Sequence, residues 1–241
     1  MGFTAPYREV TLSGPGGALL VELLVEEGAV VEAGQVIGKL ETDALEAELA
    51  VAVARGKAEG AIQAYRADLE SKRKRFEALL DLSRTGAAGA DEVERARTEH
   101  AVAESRLHAA LEEKEIHRLE GARIEIEIRD RTLRSPFRGV VRRVHRRVGE
   151  RLPAVDPAVV EIVEMERLRA EFFIPLGNLP AFAVGSPVRI AFENPEAEAE
   201  GQVVFRDPVA DRASGTVRIA VTVANEDGKL LAGVRCRLLR P

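Results

Sequence analysis

The residues with most chemical potential in this chain are its four histidines, its one cysteine, its clustered glycines and the lysine at position 39. His100, His108, His117 and His145 show neither the i, i+4 pairing nor the acidic companion of a zinc-binding helix. Cys236 is the only cysteine, so no intrachain disulfide can form, and cysteine usage neither requires nor forbids an oxidising compartment. Apart from Met1 there is only Met165, too few methionines for a soft-metal carrier. Gly14, Gly16 and Gly17 lack the spacing of a dinucleotide loop, and Gly38-Lys39-Leu40 lacks the Ser or Thr of a phosphate loop, so both read as turns. No Ser-His-Asp or Cys-His set can be assembled. The expectation is a protein with no catalytic residue, no metal and no cofactor, which is not an enzyme.

What remains is architecture. The chain has 241 residues, 46% of them hydrophobic, enough for one or two packed cores. Its 35 basic and 40 acidic residues leave a net charge of −5, with no global field for nucleic acid. The basic run Arg142, Arg143, His145, Arg146, Arg147 reads as a solvated strand and turn. No run of ~18 apolar residues exists, and the start MGFTAPYREV lacks the regions of a secretory signal. A role outside the cytoplasm would require an export signal or anchor upstream of residue 1.

Residues 8–41 read as short strands separated by Gly14, Gly16, Gly17, Gly28 and Gly34. From Ala44 to about Leu82 the composition becomes that of a long helix, with Ile62, Tyr65, Leu69, Phe76 and Leu79 at coiled-coil spacing, Lys72 in one seam slot, and Gly56 and Gly60 weakening the first half. LSRTGAAGADE stops this helix and starts another near Ala90, the tip of a hairpin. On the return, Val93, Ala96, His100, Ala103, Leu107, Ala110, His117, Ile124 and Ile128 keep one heptad phase, with Lys114 and Gly121 at its gaps. RIEIEIR alternates like a strand, but its isoleucines stay in this phase and predict helix. Two helices of roughly 40 residues make an antiparallel rod of about 60 Å. With so thin an apolar stripe, such a rod projects into solvent and presents its tip or flanks to a partner. After Arg131 the β texture returns, and from about Val159 strands punctuated by Pro and Gly fit a small antiparallel barrel.

The order of these pieces resembles the membrane fusion, or periplasmic adaptor, family. VEEGAVVEAGQVIGKLET and LRSPFRGVVRRVHRRVGERL are similar to the two halves of that family's lipoyl-like domain, the second to its Ala-Pro-Phe-Asp-Gly-Val-Val signature with Ser135 and Arg138 as departures. FFIPLGNLPAFAVGSPVRI, GQVVFRDPVADRASGTVRIAV and GKLLAGVRCRL are similar to its β-barrel domain. The resemblance implies a mainly β protein with an inserted α-helical hairpin. Residues 8–43 and 131–155 would form the lipoyl-like domain, 44–130 the hairpin with its tip near 83–90, and 156–241 the barrel. A working lipoyl domain carries its cofactor on the lysine of a Glu-Thr-Asp-Lys-Ala turn. Here Glu41, Thr42 and Asp43 are followed by Ala44, and Lys39 precedes the turn, so the acyl-carrier alternative lacks its acceptor.

The resemblance further implies a periplasmic protein linking an inner-membrane transporter to an outer-membrane channel and self-associating into a ring, with membrane contact only through an upstream anchor or its partners. Channel-docking tips carry an arginine, a leucine four residues on and a serine seven after that. Arg75 and Leu79 fit with Gly86 in the serine slot, while the alternative register places Ala78, Leu82 and Gly89 there. Neither completes the motif. The segment expected to meet the partner runs from Leu79 to Glu92 and includes Leu82, Arg84, Gly86, Gly89, Asp91 and Glu92. The family's membrane-proximal domain is not accommodated, which fits either a truncated chain or a minimal adaptor. The other reading of the same shape is a coiled-coil oligomerisation scaffold carrying β domains.

Overall fold

The computed structural model describes residues 1–239 and divides into two compact units, Met1–Glu41 with Arg131–Pro241, and Thr42–Asp130. Among the described residues the first unit holds all the strands: β1 (Gly2–Ser13), β2 (Leu20–Leu23), β3 (Val30–Val31), β4 (Val36–Leu40), β5 (Thr132–Arg134), β6 (Gly139–Val144), β7 (Ala158–Pro175), β8 (Pro187–Glu193), β9 (Glu196–Arg206), β10 (Thr216–Ala224) and β11 (Arg235–Leu238). One sheet runs β1-β11-β8-β9-β10-β7-β6-β3, and a further pairing of β1 with β7 closes its first six strands on themselves. A second sheet runs β2-β4-β5. All pairings are antiparallel.

Period-2 alternation explains where the apolar side chains go. Leu168, Phe172, Ile190, Phe192, Ile219 and Cys236 are inward residues of the closed strands and form one core. Leu20, Ile37, Leu40, Leu133, Val141 and Ile162 form the other. β7 serves both, and β1 pairs with it from Gly2 opposite Phe172 to Ser13 opposite Ala158. Strand structure thus begins well before residue 8, where the alternation first becomes legible. Pro6 interrupts the pattern, and the register shifts between Pro6 and Arg8. Where the two cores meet, the buried Glu164 carboxylate lies 2.7 Å from Arg167 and 3.4 Å from Arg8, and Arg167 stacks 3.9 Å over the Tyr7 ring. Gly139 admits no side chain, since a Cβ there would lie 2.5 Å from the Val163 carbonyl oxygen.

The second unit is a helical hairpin: α1 (Asp43–Lys57), α2 (Gly60–Arg84) and α3 (Ala90–Asp130). The ascending side, read from sequence as one helix, is broken at Ala58, whose backbone is extended (φ −69°, ψ 114°). Gly56 and Gly60 each weaken the helix by about 1 kcal/mol, and the apolar phase changes across the break, from Ala52 and Gly56 to Ile62, with charged Glu59 between them. The descending helix is continuous for 41 residues. Ala96, Ala103, Gly121 and Ile124 are buried, and Val93, His100, Leu107, Ala110, Lys114, His117 and Ile128 are half-buried, so the heptad phase holds throughout.

RIEIEIR is therefore helix, with Ile124 1% and Ile126 50% exposed. Ile124→Ala should cost roughly 2–4 kcal/mol, and Ile126→Ala under about 0.5, in thermal or urea unfolding followed by circular dichroism. Equal costs for the two changes would restore the strand reading, in which both isoleucines share a face.

Candidate functional site

The hairpin's far end is built from short-range interactions. Near the end of α2 the Ser83 and Thr85 hydroxyls donate to the Leu80 and Leu82 carbonyls at 2.8 and 2.9 Å. Gly86 adopts φ +77°, and the Gly86 and Ala87 amides donate to the Ser83 and Leu82 carbonyls, closing the helix with a left-handed glycine. Entry to α3 is the reverse motif. Glu92 reaches back to accept from the Gly89 amide at 3.3 Å, while the Gly89 carbonyl accepts from Glu92 and Val93. Asp91 and Glu92 lie in the first turn, where helix amides favour negative charge. Arg84 pairs with Asp81 at 2.9 Å, both exposed.

The chain therefore brings Leu79 through Glu92 to one place, with Leu82 48% and Leu80 36% exposed on an otherwise polar tip. Leu79 is half-buried, turned partly into the seam, and Arg75 is tied to Glu99 at 3.5 Å. Leu80 was not singled out from sequence, since it falls outside the heptad seam. Its exposure beside Leu82 gives the polar tip a small apolar patch.

The shaft below is fixed by groups that look like seam defects in the sequence. Lys72 reaches Glu99 at 3.0 Å and Lys114 reaches Glu59 at 2.8 Å, so both seam lysines pair across the hairpin. His100 stacks on Phe76 with ring centroids 6.1 Å apart, and His117 lies 3.0 Å from Glu120. Gly121 packs a helix backbone against Leu49 and Ala52.

The chemistry elsewhere is quiet. Lys39 forms a 2.7 Å surface pair with Glu22, and Ala44 lies in the first turn of α1. Cys236 is buried, and burial pushes its thiol up to about 11, which keeps it protonated and unreactive near neutrality. Among the described residues no group of three or more His, Cys, Asp or Glu could hold a metal ion, and no helix is long and apolar enough to cross a membrane.

No protein-family model matches the chain. Among curated proteins it is similar to nodulation protein NolF of Rhizobium meliloti, 28% identical over 235 residues, and to multidrug resistance protein MdtE of Escherichia coli K12, 24% identical over 247. Both alignments cover 97% of this chain, which spans 60% of NolF and 61% of MdtE. Among solved structures, the membrane fusion protein Spr0693 of Streptococcus pneumoniae R6 superposes with a TM-score of 0.64 at 18% identity, covering 99% of this chain and 96% of that one. MacA of Actinobacillus actinomycetemcomitans superposes with 0.69 at 14% identity, covering 98% and 78%. The fold is that of the membrane fusion proteins.

Within this membrane-fusion fold the cross-helix ion pairs of the hairpin give it a small, signed response to pH. Hydrogen bonding and charge from Lys114 and Lys72 hold the Glu59 and Glu99 carboxyls below the ordinary value of 4.5. A lowered folded-state value means that the contribution is complete above the unfolded value and is lost as the pH falls below it. Helicity of the hairpin, followed by circular dichroism with and without 0.5 M salt, should decline below about pH 4.5, and Lys114→Met should flatten that decline.

Proposed function

We propose that the protein is a periplasmic adaptor of an efflux or secretion system that couples an inner-membrane transporter to an outer-membrane channel. In this reading residues 8–43 and 131–155 are the halves of a lipoyl-like domain without its lysine, 156–241 is a β-barrel, and copies associate into a ring. The observation that carries it is a hairpin with α3 about 60 Å long, inserted between the paired strands β4 and β5, whose far end offers exposed leucines and no reactive group. Such an object acts through reach and contact. Leu79, Leu82, Arg84, Gly86, Gly89, Asp91 and Glu92 form the surface that meets the channel, with Leu82 and its neighbour Leu80 as apolar anchors and the Arg84–Asp81 and Asp91–Glu92 charges as a polar rim. The names of NolF and MdtE, a nodulation and a multidrug resistance protein, are consistent with export and leave the cargo open.

The test is in vivo photo-cross-linking from Ala87, on the exposed tip, in the full-length protein expressed with its native neighbours. Recovery of an outer-membrane channel is expected, falling at least tenfold with Leu82→Glu while helicity is retained. Recovery of cytoplasmic proteins alone would replace the adaptor with a coiled-coil scaffold.

A further inference from the structure

Where the two cores of the first unit meet, β1 and β7 fall out of step. Pro6 lies opposite Leu168 and Arg8 opposite Glu164, so β7 takes two more residues than β1 over this stretch, and Met165 sits at its edge. The segment before β11 stands over the same place because Thr4 holds it there. The Thr4 hydroxyl donates to the Leu231 carbonyl at 2.9 Å, and the Gly233 amide donates to the Thr4 carbonyl at 2.7 Å. Asn225 fixes the segment from its other end. Its side-chain amide donates to the Met165 and Leu230 carbonyls at 2.9 and 3.0 Å, and its oxygen accepts from the Leu230 amide at 2.8 Å. Asn225 is buried, which shields these bonds from water. Sheet and loop thus frame an open groove of about 570 Å³ whose walls are held before anything enters it.

The groove has an apolar body and a charged end. Val140, Val163, Met165 and Leu231 supply the apolar surface, and the thioether of Met165 adapts to irregular shapes. Leu231 is 54% exposed, an apolar side chain left at the rim. The charged end is made by Glu9 and Arg142. Arg142 pairs with Glu9 at 3.1 Å and also with Glu161, and His145 lies 3.8 Å from Glu161. Three neighbouring strands therefore bring two carboxylates to one guanidinium, and with His145 neutral one negative charge is left over. The surplus is felt at Glu9, whose carboxyl is held above the ordinary 4.5 by its hydrogen bond with Glu161 and then by burial. On the other side of Val140 and Met165 lies a smaller cavity of about 240 Å³, where Arg138 pairs with both Glu32 and Glu166, again one cation for two carboxylates.

We infer that this groove is a binding site for a monocationic amphiphile, an organic ammonium whose head meets Glu9 and whose body lies on Val140, Val163, Met165 and Leu231. The volume is that of pockets for drug-sized molecules, and an apolar lining with a few convergent polar groups is their usual composition. Charge selects the class of ligand. An anion meets a surplus carboxylate at either end, and a neutral molecule leaves Glu9 as it stands, whereas a cation supplies the charge that Arg142 alone does not. The site goes beyond the adaptor reading. It gives the chain its own contact with a small molecule, in the unit to which the hairpin does not belong.

The test is fluorescence anisotropy of rhodamine 123, a monocationic dye, titrated with the full chain near neutral pH at ~0.15 M salt. Fluorescein, an anionic dye with the same fused-ring core, is titrated beside it. Saturable one-to-one binding of rhodamine 123 is expected, with fluorescein weaker by about tenfold or more. Glu9→Gln, which keeps a hydrogen-bonding side chain beside Arg142, should weaken the cationic dye about fivefold. Ala5→Trp, which puts a large strand-compatible side chain into the groove from an exposed position, should abolish binding with circular dichroism unchanged. Glu77→Gln, on the exposed surface of the hairpin, removes the same charge outside the groove and should change nothing. The absence of saturable binding, equal affinity for the two dyes, or equal losses in Glu9→Gln and Glu77→Gln would overturn the proposal. A channel recovered from the tip without dye binding refutes the groove alone, and dye binding with only cytoplasmic proteins at the tip refutes the adaptor alone.

Discussion

The hydrogen bonds between β4 and β5 are the constraint on which the rest of the molecule depends. The Leu40 amide donates to the Arg131 carbonyl at 2.9 Å, and Val36 to Lys39 pair with Thr132 to Arg134, so the whole hairpin sequence is a loop closed by a few strand bonds. Closing a loop of this length is an entropic cost that local strand pairing alone does not meet. It is offset because Leu20, Ile37 and Leu40, which precede the hairpin, share a core with Leu133, Val141 and Ile162, which follow it. Neither half can bury its apolar face alone, and the hairpin is held at its root only when both halves have met.

Much of this is legible in the residues themselves, because its periodicities are long. The seam of α3 is set by a phase repeated from Val93 to Ile128, and that phase outweighs the local alternation of RIEIEIR. The tip is visible from Gly86, Gly89 and the acidic pair that follows, because helix termini demand particular residue types. Less legible is whatever depends on partners distant in sequence. Nothing around Glu164 announces that Arg8 will neutralise it, and nothing in GFTAPYRE announces a strand, because Pro6 masks the alternation that pairing with β7 enforces. The break at Ala58 falls between these cases: Gly56 and Gly60 weaken the helix visibly, but the change of phase emerges only when Ile62 is seen against α3.

The chain's reactive inventory ends up in structural service. His100 stacks, His117 and the seam lysines satisfy carboxylates, Lys39 pairs on the surface, and the lone thiol is sealed in a core. The hairpin's distinctive features are its long seam and the exposed leucines at its far end.

The interruption of the ascending helix beside an unbroken descending one has a mechanical meaning. At the level of Ala58 only α3 carries a continuous ladder of backbone hydrogen bonds, so the bending stiffness of the rod is lowest there. A sideways load on the tip is converted into rotation about that point rather than spread along the shaft. The Glu59–Lys114 pair bridges the two sides of the hairpin beside this break. The hairpin therefore has a single soft joint, at Ala58, in an otherwise continuous pair of helices.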